Sequence, residues 1–447
     1  MADPGRATYF IKGAEWSVIP LIIHVVKPGE SIYSISRIYQ VPEQKIIQDN
    51  ELPNPQQLVI GQALVILTDN LEYTVQPGDS LYLIALKYQM KISELIRVNP
   101  QISNPAALQP GQKINIPNRN IFFGPTEVNG YAFPNINRET LQRTLPYLTY
   151  LSIFSYHVSA DGSLNTIDDQ PLINAARGAQ VAPLMVISNI EGDSGGFSSD
   201  IASQFLSNSA AQDRLIDNVI TILKNKNYFG LDIDFEYIYP QDRENYNRFL
   251  RKVVSRLRPL GYTITTALAP KTSATQSGTL YEAHDYPVHG ELMDHVILMT
   301  YEWGYTYSPP RAVAPINEVR KVLNYAVTEI PRQKILMGIP NYGYNWTLPF
   351  QQGTAATAIS NTGAVQLALQ VGANIQYDPI SQAPYFRYYS SDGKQHEVWF
   401  EDARSILAKL TLANEFKLGG VSYWPIMQFF PQNWLVLNSV HNVIKKL

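Results

Sequence analysis

Eight short apolar runs, separated by amphipathic stretches of helical length, constrain the fold of this chain more than any other feature. They read NGYAF (129–133), YLTYLSIFSYHV (147–158), VAPLMVISNI (181–190), YFGLDIDFEYI (228–238), YTITTALAP (262–270), HVILMTYEWGY (295–305), KILMGIPNYGY (334–344) and GGVSYWPI (419–426). Between most of them lie helical patterns such as QDRENYNRFLRKVVSRLRPL (241–260). Strand–helix alternation repeated eight times predicts an α/β chain built on a (β/α)8 TIM barrel over 121–447. A doubly wound sheet is the alternative, but no GxGxxG turn opens it. The stretch 345–400, after the seventh run, is too long for a loop. It carries AVQLALQ and the β-like runs NIQYDP, PYFRYYS and HEVWF, which predicts an inserted α+β lobe walling one side of a cleft.

Ahead of the barrel the chain repeats itself. HVVKPGESIY (24–33) matches YTVQPGDSLY (73–82), Asn50 matches Asn99, and GQALVI (61–66) matches GQKINI (111–116). In each copy a short strand meets a Pro-Gly turn, and Ser31 or Ser80 stands where a helix N-cap belongs. A second helix and a closing strand follow. Each copy is therefore expected to be a small βααβ unit, over 22–67 and 71–117. Both copies resemble LysM domains, which bind N-acetylglucosamine polymers such as peptidoglycan and chitin. The resemblance implies a glycan groove lined by Gly29, Glu30, Ser31 and Ile32 in the first copy, and by Gly78, Asp79, Ser80 and Leu81 in the second. The loops around Leu52–Pro55 and Ile102–Pro105 would form its other side. Two copies in tandem raise the local concentration of binding sites along a polymer.

Bulk composition narrows the partners. The net charge is −3, with no long run of Lys or Arg, so neither nucleic acid nor an anionic membrane surface is expected as a partner. The chain has no cysteine, which removes disulfides and thiolate metal sites. No His pair or acid cluster has ligand spacing, so no metal and no cofactor are expected. The first residues, MADPGRATYF, do not read as a classical signal peptide. A monomer is the expected state.

The chemistry points to the fourth run. Asp232, Asp234 and Glu236 alternate with Leu231, Ile233 and Phe235. A strand's side chains have a period of two, so the three acids share the barrel interior and Glu236 lies nearest the C-terminal rim. Carboxylates so placed are costly to ionise, which can keep one protonated near neutral pH, as a glycosidase acid requires. Acids lined along one strand do not bracket a bond from both sides. That favours an acid, Glu236, with a neighbour, Asp234, steering a substrate acetamido group whose oxygen attacks the anomeric carbon.

The row resembles the DxxDxDxE signature of family 18 glycoside hydrolases, departing from it at Phe229, where the first acid would stand. The resemblance implies that Glu236 protonates the leaving oxygen, Asp234 orients the acetamido group, and Asp232 hydrogen-bonds Asp234 from below. MTYE (299–302) is similar to the family's MxYD, which implies that Tyr301 donates to the acetamido carbonyl and Met299 lines the pocket, with Glu302 in place of the family's Asp. Tyr131 and Trp424 fall where the family has aromatic pocket residues, and Asn341 and Tyr344 are expected at the cleft. The order of parts resembles the cortex-fragment-lytic N-acetylglucosaminidases of spore-forming bacteria. That implies a peptidoglycan substrate and a place in the spore coat, cortex or cell wall. A chitinase of the same mechanism, a non-catalytic lectin on this barrel and a germination scaffold are the alternatives. The barrel alone, starting near Asn120, is expected to act on soluble fragments.

Overall fold

In a computed structural model, the structure describes residues 21–447 apart from 69, 88, 89, 103, 105–107, 118–121, 193 and 194. The N-terminal stretch read for a leader, and positions 103 and 105 of the second repeat's groove, lie outside the described residues.

Eight strands close the barrel: β1 (Gly124–Ala132), β2 (Tyr150–His157), β3 (Ala182–Ser188), β4 (Gly230–Asp234), β5 (Thr263–Leu268), β6 (His295–Leu298), β7 (Ile335–Pro340) and β8 (Gly420–Trp424). Each pairs in parallel with the next, and β8 returns to β1 through Val421↔Val128 and its neighbours. Leu231 and Ile233 are buried outside the sheet in the barrel's main apolar core, as their alternation with the acids requires. Phe235 stacks between Tyr246 and Phe249, with centroids 5.9 and 6.0 Å away.

Two expectations about the strands need correction. β4 ends at Asp234, so Glu236 stands just past it rather than on it. β6 ends at Leu298, so Met299, Tyr301 and Glu302 lie in the loop that follows. Past β4 the backbone of Glu236 leaves the ladder and bonds the side chain of Asn189, whereas past β6 the N–H groups of Thr300 and Tyr301 turn back to the carbonyls of Leu298 and Met299.

The inserted lobe is present as a five-stranded antiparallel sheet, running from Gly343–Leu348 to Gln395–Trp399, with one helix, Asn361–Gln370. The barrel resumes with the helix Ala403–Glu415, capped by Asp402 through the backbone N–H groups of Arg404 and Ser405.

Each repeat folds as two helices on a two-stranded antiparallel sheet. The repeated asparagine does the same work in both. Asn50 donates to the carbonyls of Ile46 and Val65 and accepts from the Val65 N–H, and Asn99 makes the equivalent bonds to Leu95 and Asn115. The second helix is thereby locked to the closing strand. The first repeat also packs on the barrel: Ala63 and Val65 are buried in the barrel's own core, and Gln432 donates to the Asn50 carbonyl. The second repeat has a separate small core around Ile84 and Leu95. Among the described residues no helix is long and apolar enough to cross a membrane, and no cluster of three or more His, Asp or Glu side chains could hold a metal ion.

Candidate active site

The three acids become more open toward the barrel mouth: Asp232 is fully buried, Asp234 is 5% exposed and Glu236 is half-buried. Asp232 sits in a polar layer that crosses the barrel. Tyr131 Oη on β1 donates to it at 2.7 Å and Thr265 Oγ1 on β5 at 2.7 Å. Ser152 Oγ on β2 lies 3.1 Å from both Asp232 and Asn129, so its single proton serves one at a time. Burial raises the Asp232 carboxyl above the ordinary range, and these hydroxyl donors oppose the shift. The expected hydrogen bond from Asp232 to Asp234 is absent among the described residues. The neighbouring hydroxyls are better partners, because they bring protons that a second carboxylate lacks.

The Asp234 side chain makes no hydrogen bond among the described residues, and its Oδ1 is buried without a partner. Burial, then the charges of Glu236 and Asp232, hold its carboxyl well above the usual range. Burial first, and the Glu302 charge second, push Glu236 up to about 7. The charge acting on Glu236 therefore comes from the loop after β6, a contribution that the acid row alone did not reveal.

Glu302 is exposed at the mouth in left-handed backbone, with φ of 66°. Its carboxylate accepts from Tyr342 and, at 3.1 Å, from Tyr344 on the first strand of the lobe. Tyr344 thus supports Glu302 and is itself buried. Tyr301 is half-buried, and Met299 beside it equally so. Its ring fits because residue 338 on β7 is glycine: a Cβ there would come 2.8 Å from the ring. The Tyr301 hydroxyl has no hydrogen-bond partner among the described residues, and burial with the charges of Asp234 and Glu236 raises it well above the ordinary tyrosine range.

Trp424, at the end of β8, packs edge-on against Tyr131 at 5.5 Å and Phe154 at 4.9 Å. Tyr131 is buried beneath it and spends its hydroxyl on Asp232. Asn341 is buried, and its amide donates to the carbonyls of Pro425 and Gln428, tying the loop after β7 to the loop after β8. Phe229, where the family's first acid would stand, packs at the inner end of the barrel against Tyr150.

Two positioning residues escaped the sequence reading. Asn189, just past β3, accepts from the Glu236 N–H at 2.9 Å and donates to the Glu236 carbonyl at 2.8 Å. His284 accepts the Ala269 N–H at Nδ1, so its Nε2 carries the proton that bonds the Phe235 carbonyl at 2.9 Å. Burial lowers His284 to about 4, which keeps it in this neutral form.

The repeat loops are held by their own side chains. Glu30 is bonded to His24 at 2.8 Å and accepts the Lys27 N–H; Asp79 accepts from Tyr73 at 2.6 Å and from the Gln76 N–H. Both carboxylates staple the Pro-Gly turn to the first strand. Ser31 and Ser80 cap the following helices, Ile32 and Leu81 are buried, and Gly29 and Gly78 take left-handed φ values of 79° and 88°. These side chains build the loop.

The model of glycosyl hydrolases family 18 matches residues 127–428, and that of the LysM domain matches 24–67 and 73–117. The chain is 44% identical over 438 residues to the cortical fragment-lytic enzyme of Bacillus subtilis (strain 168), a match covering 95% of this chain and 99% of that one. It is 40% identical over 434 residues to the cortical fragment-lytic enzyme of Bacillus anthracis, at 95% and 99% coverage. Among solved structures it is similar to the spore cortex-lytic enzyme SleL of Bacillus megaterium QM B1551, with a TM-score of 0.88, 42% identity, and coverage of 96% of this chain and all of that one.

Proposed function

The chain belongs to glycosyl hydrolase family 18 and carries two LysM domains, and from that membership we propose that it cleaves N-acetylglucosamine linkages in spore-cortex peptidoglycan during germination. The observation that carries this reading is the meeting, at one barrel mouth, of three groups that no protein side chain or backbone group bonds, Asp234 Oδ1 among them buried. The side chains of Asp234 and Glu236 and the Tyr301 hydroxyl lack protein partners among the described residues, and burial with the Glu302 charge pushes the Glu236 carboxyl up to about 7.

In this reading Glu236 gives its proton to the glycosidic oxygen as the bond to the anomeric carbon breaks. The acetamido carbonyl oxygen of the same sugar forms a bond to that carbon, giving an oxazolinium ion. Asp234 accepts the acetamido N–H and stabilises the developing positive charge, while Tyr301 donates to the acetamido oxygen and fixes its approach. Water then attacks the anomeric carbon, Glu236 takes its proton, and the ring opens with overall retention. Trp424 supplies a flat floor for the sugar. Asp232 acts beneath, fixed by its hydroxyl donors. The repeats hold the enzyme, acting as a monomer, on the cortex or wall.

Mass spectrometry of cortex fragments incubated with wild-type and Glu236→Gln protein tests the reading. Products with a new reducing N-acetylglucosamine end are expected from the wild type alone. Intact cortex fragments and intact chitin oligomers with both proteins would move the chain to a sugar-binding role.

A further inference from the structure

A cavity of about 250 Å³ lies where the first repeat, the inserted lobe and the barrel meet. One water needs roughly 10–15 Å³, so the space suits a ligand far larger than water. Its walls come from the loop after the first repeat's second helix (Leu52, Asn54, Gln57), the lobe helix Asn361–Gln370, and the barrel segment 429–432. None of the groups at the barrel mouth lines it.

The walls are held together firmly. The Ile375 N–H donates to the Ile60 carbonyl at 2.9 Å, and Arg404 donates to the Gly61 carbonyl at 3.2 Å. Residue 61 must be glycine, because a Cβ would fall 1.8 Å from the Ile375 carbonyl oxygen. Glu51 of the repeat pairs with Arg143 of the barrel, whose guanidinium covers the Phe429 ring at 3.8 Å. The cavity is thus a fixed feature of the joined parts.

Its chemistry selects the ligand. Every charged residue on the wall is already paired: Glu51 with Arg143, Glu401 with Lys409 at 2.7 Å, and Asp402 with Arg404 at 2.6 Å. No net charge is left for a free carboxylate, which argues against an acidic peptide. The remaining polar side chains are amides and the hydroxyl of Thr362, which both donate and accept, beside apolar Leu52, Val365 and Leu369. Two wall residues also carry buried amide atoms with no protein partner, lying just beneath the cavity surface: Asn361 Nδ2, a donor, and Gln432 Oε1, an acceptor. A ligand acetamido group has the complementary carbonyl and N–H.

We propose that this cavity is a composite subsite, formed jointly by the first repeat and the barrel, for a neutral N-acetylated stretch of the glycan. It rests on the reading that the repeats bind such polymers, and it adds that the barrel and lobe supply half of the first repeat's site.

The test uses the full chain carrying Glu236→Gln, so that the ligand survives, with tetra-N-acetylchitotetraose titrated by calorimetry. Gln366→Trp, at an exposed position of the lobe helix on the cavity wall, sets a large ring against the cavity, and Asn54→Ala strips the facing loop. Each is expected to weaken binding by roughly tenfold or to remove one class of sites. In the otherwise wild-type enzyme, Gln366→Trp should leave hydrolysis of a short soluble substrate unchanged. Equal isotherms with and without Gln366→Trp, in a protein that still sediments with insoluble peptidoglycan, overturn the composite subsite alone. Failure of the parent chain to bind either the tetramer or insoluble peptidoglycan overturns the wall-binding reading as well.

Discussion

Asn189 holds Glu236 by its backbone, accepting from its N–H at 2.9 Å and donating to its carbonyl at 2.8 Å. The next residue, Tyr237, lies in left-handed backbone with φ of 54°, a conformation unfavourable for a side chain of its size. The amide of Asn189 therefore fixes a strained turn that sets where the Glu236 carboxyl points. Asn189→Ala would leave both backbone groups without their partner, at a cost of about 1–3 kcal/mol. We expect kcat to fall roughly tenfold to a hundredfold with KM little changed, together with a lower Tm. Unchanged kcat in a destabilised protein would reduce Asn189 to a purely structural role.

The pH dependence of cleavage follows from Glu302. Glu236 must carry its proton to act as an acid, and burial and the Glu302 charge place its titration at about 7. Activity should therefore fall as pH rises through neutrality. Glu302→Gln removes a negative charge while preserving the shape that Tyr342 and Tyr344 hold. Losing that charge makes ionisation of Glu236 easier, so the alkaline limb of the kcat/KM profile should move to lower pH. A limb that stays in place would show that burial alone sets the acid.

Asp234 gives a stability prediction of opposite sense to the usual salt-bridged carboxylate. Its folded pKa lies well above its unfolded value. The stability this contributes is full below the unfolded value, near 4, and is lost as pH rises through the folded value. Asp234→Asn cannot ionise and escapes that loss. Thermal melts should show the variant gaining on the wild type as pH rises from about 4 to about 8, while its activity collapses. A constant difference in Tm across that range would contradict the shift.

The difference between what could and could not be read from the sequence follows the range of the interactions. Leu231, Ile233 and the acids between them obey the strand period, a local rule, and the eight-strand alternation and the inserted lobe were legible in the same way. The partners of Asp232 were not: Tyr131, Ser152 and Thr265 lie 101, 80 and 33 residues away and meet it only because the barrel closes. Asn189 is 47 residues from Glu236, and its place at the C-terminal end of an apolar run was the one available hint. Glu30 and Asp79 show the converse case. Their repetition was visible, but repetition marks a shared fold device as readily as a shared ligand, and here each bonds the residue six positions before it.

The two repeats should respond differently to disruption. Ala63 and Val65 of the first repeat are buried in the barrel's main core, and Gln432 bonds the Asn50 carbonyl. The second repeat keeps its own core. The structure thus alters the expectation that a barrel beginning near Asn120 would be an intact enzyme. Cutting there exposes apolar surface on the barrel and strands Gln432, so the truncated chain should melt at least ~5 °C below the full chain and aggregate more readily. Ile84→Asp, which buries a charge in the second repeat's small core, should unfold that repeat alone. The main melting transition and the cleavage of soluble fragments should then stay near wild type, while binding to insoluble peptidoglycan weakens. Equal loss of barrel stability from both changes would show that the second repeat is as much a part of the catalytic body as the first.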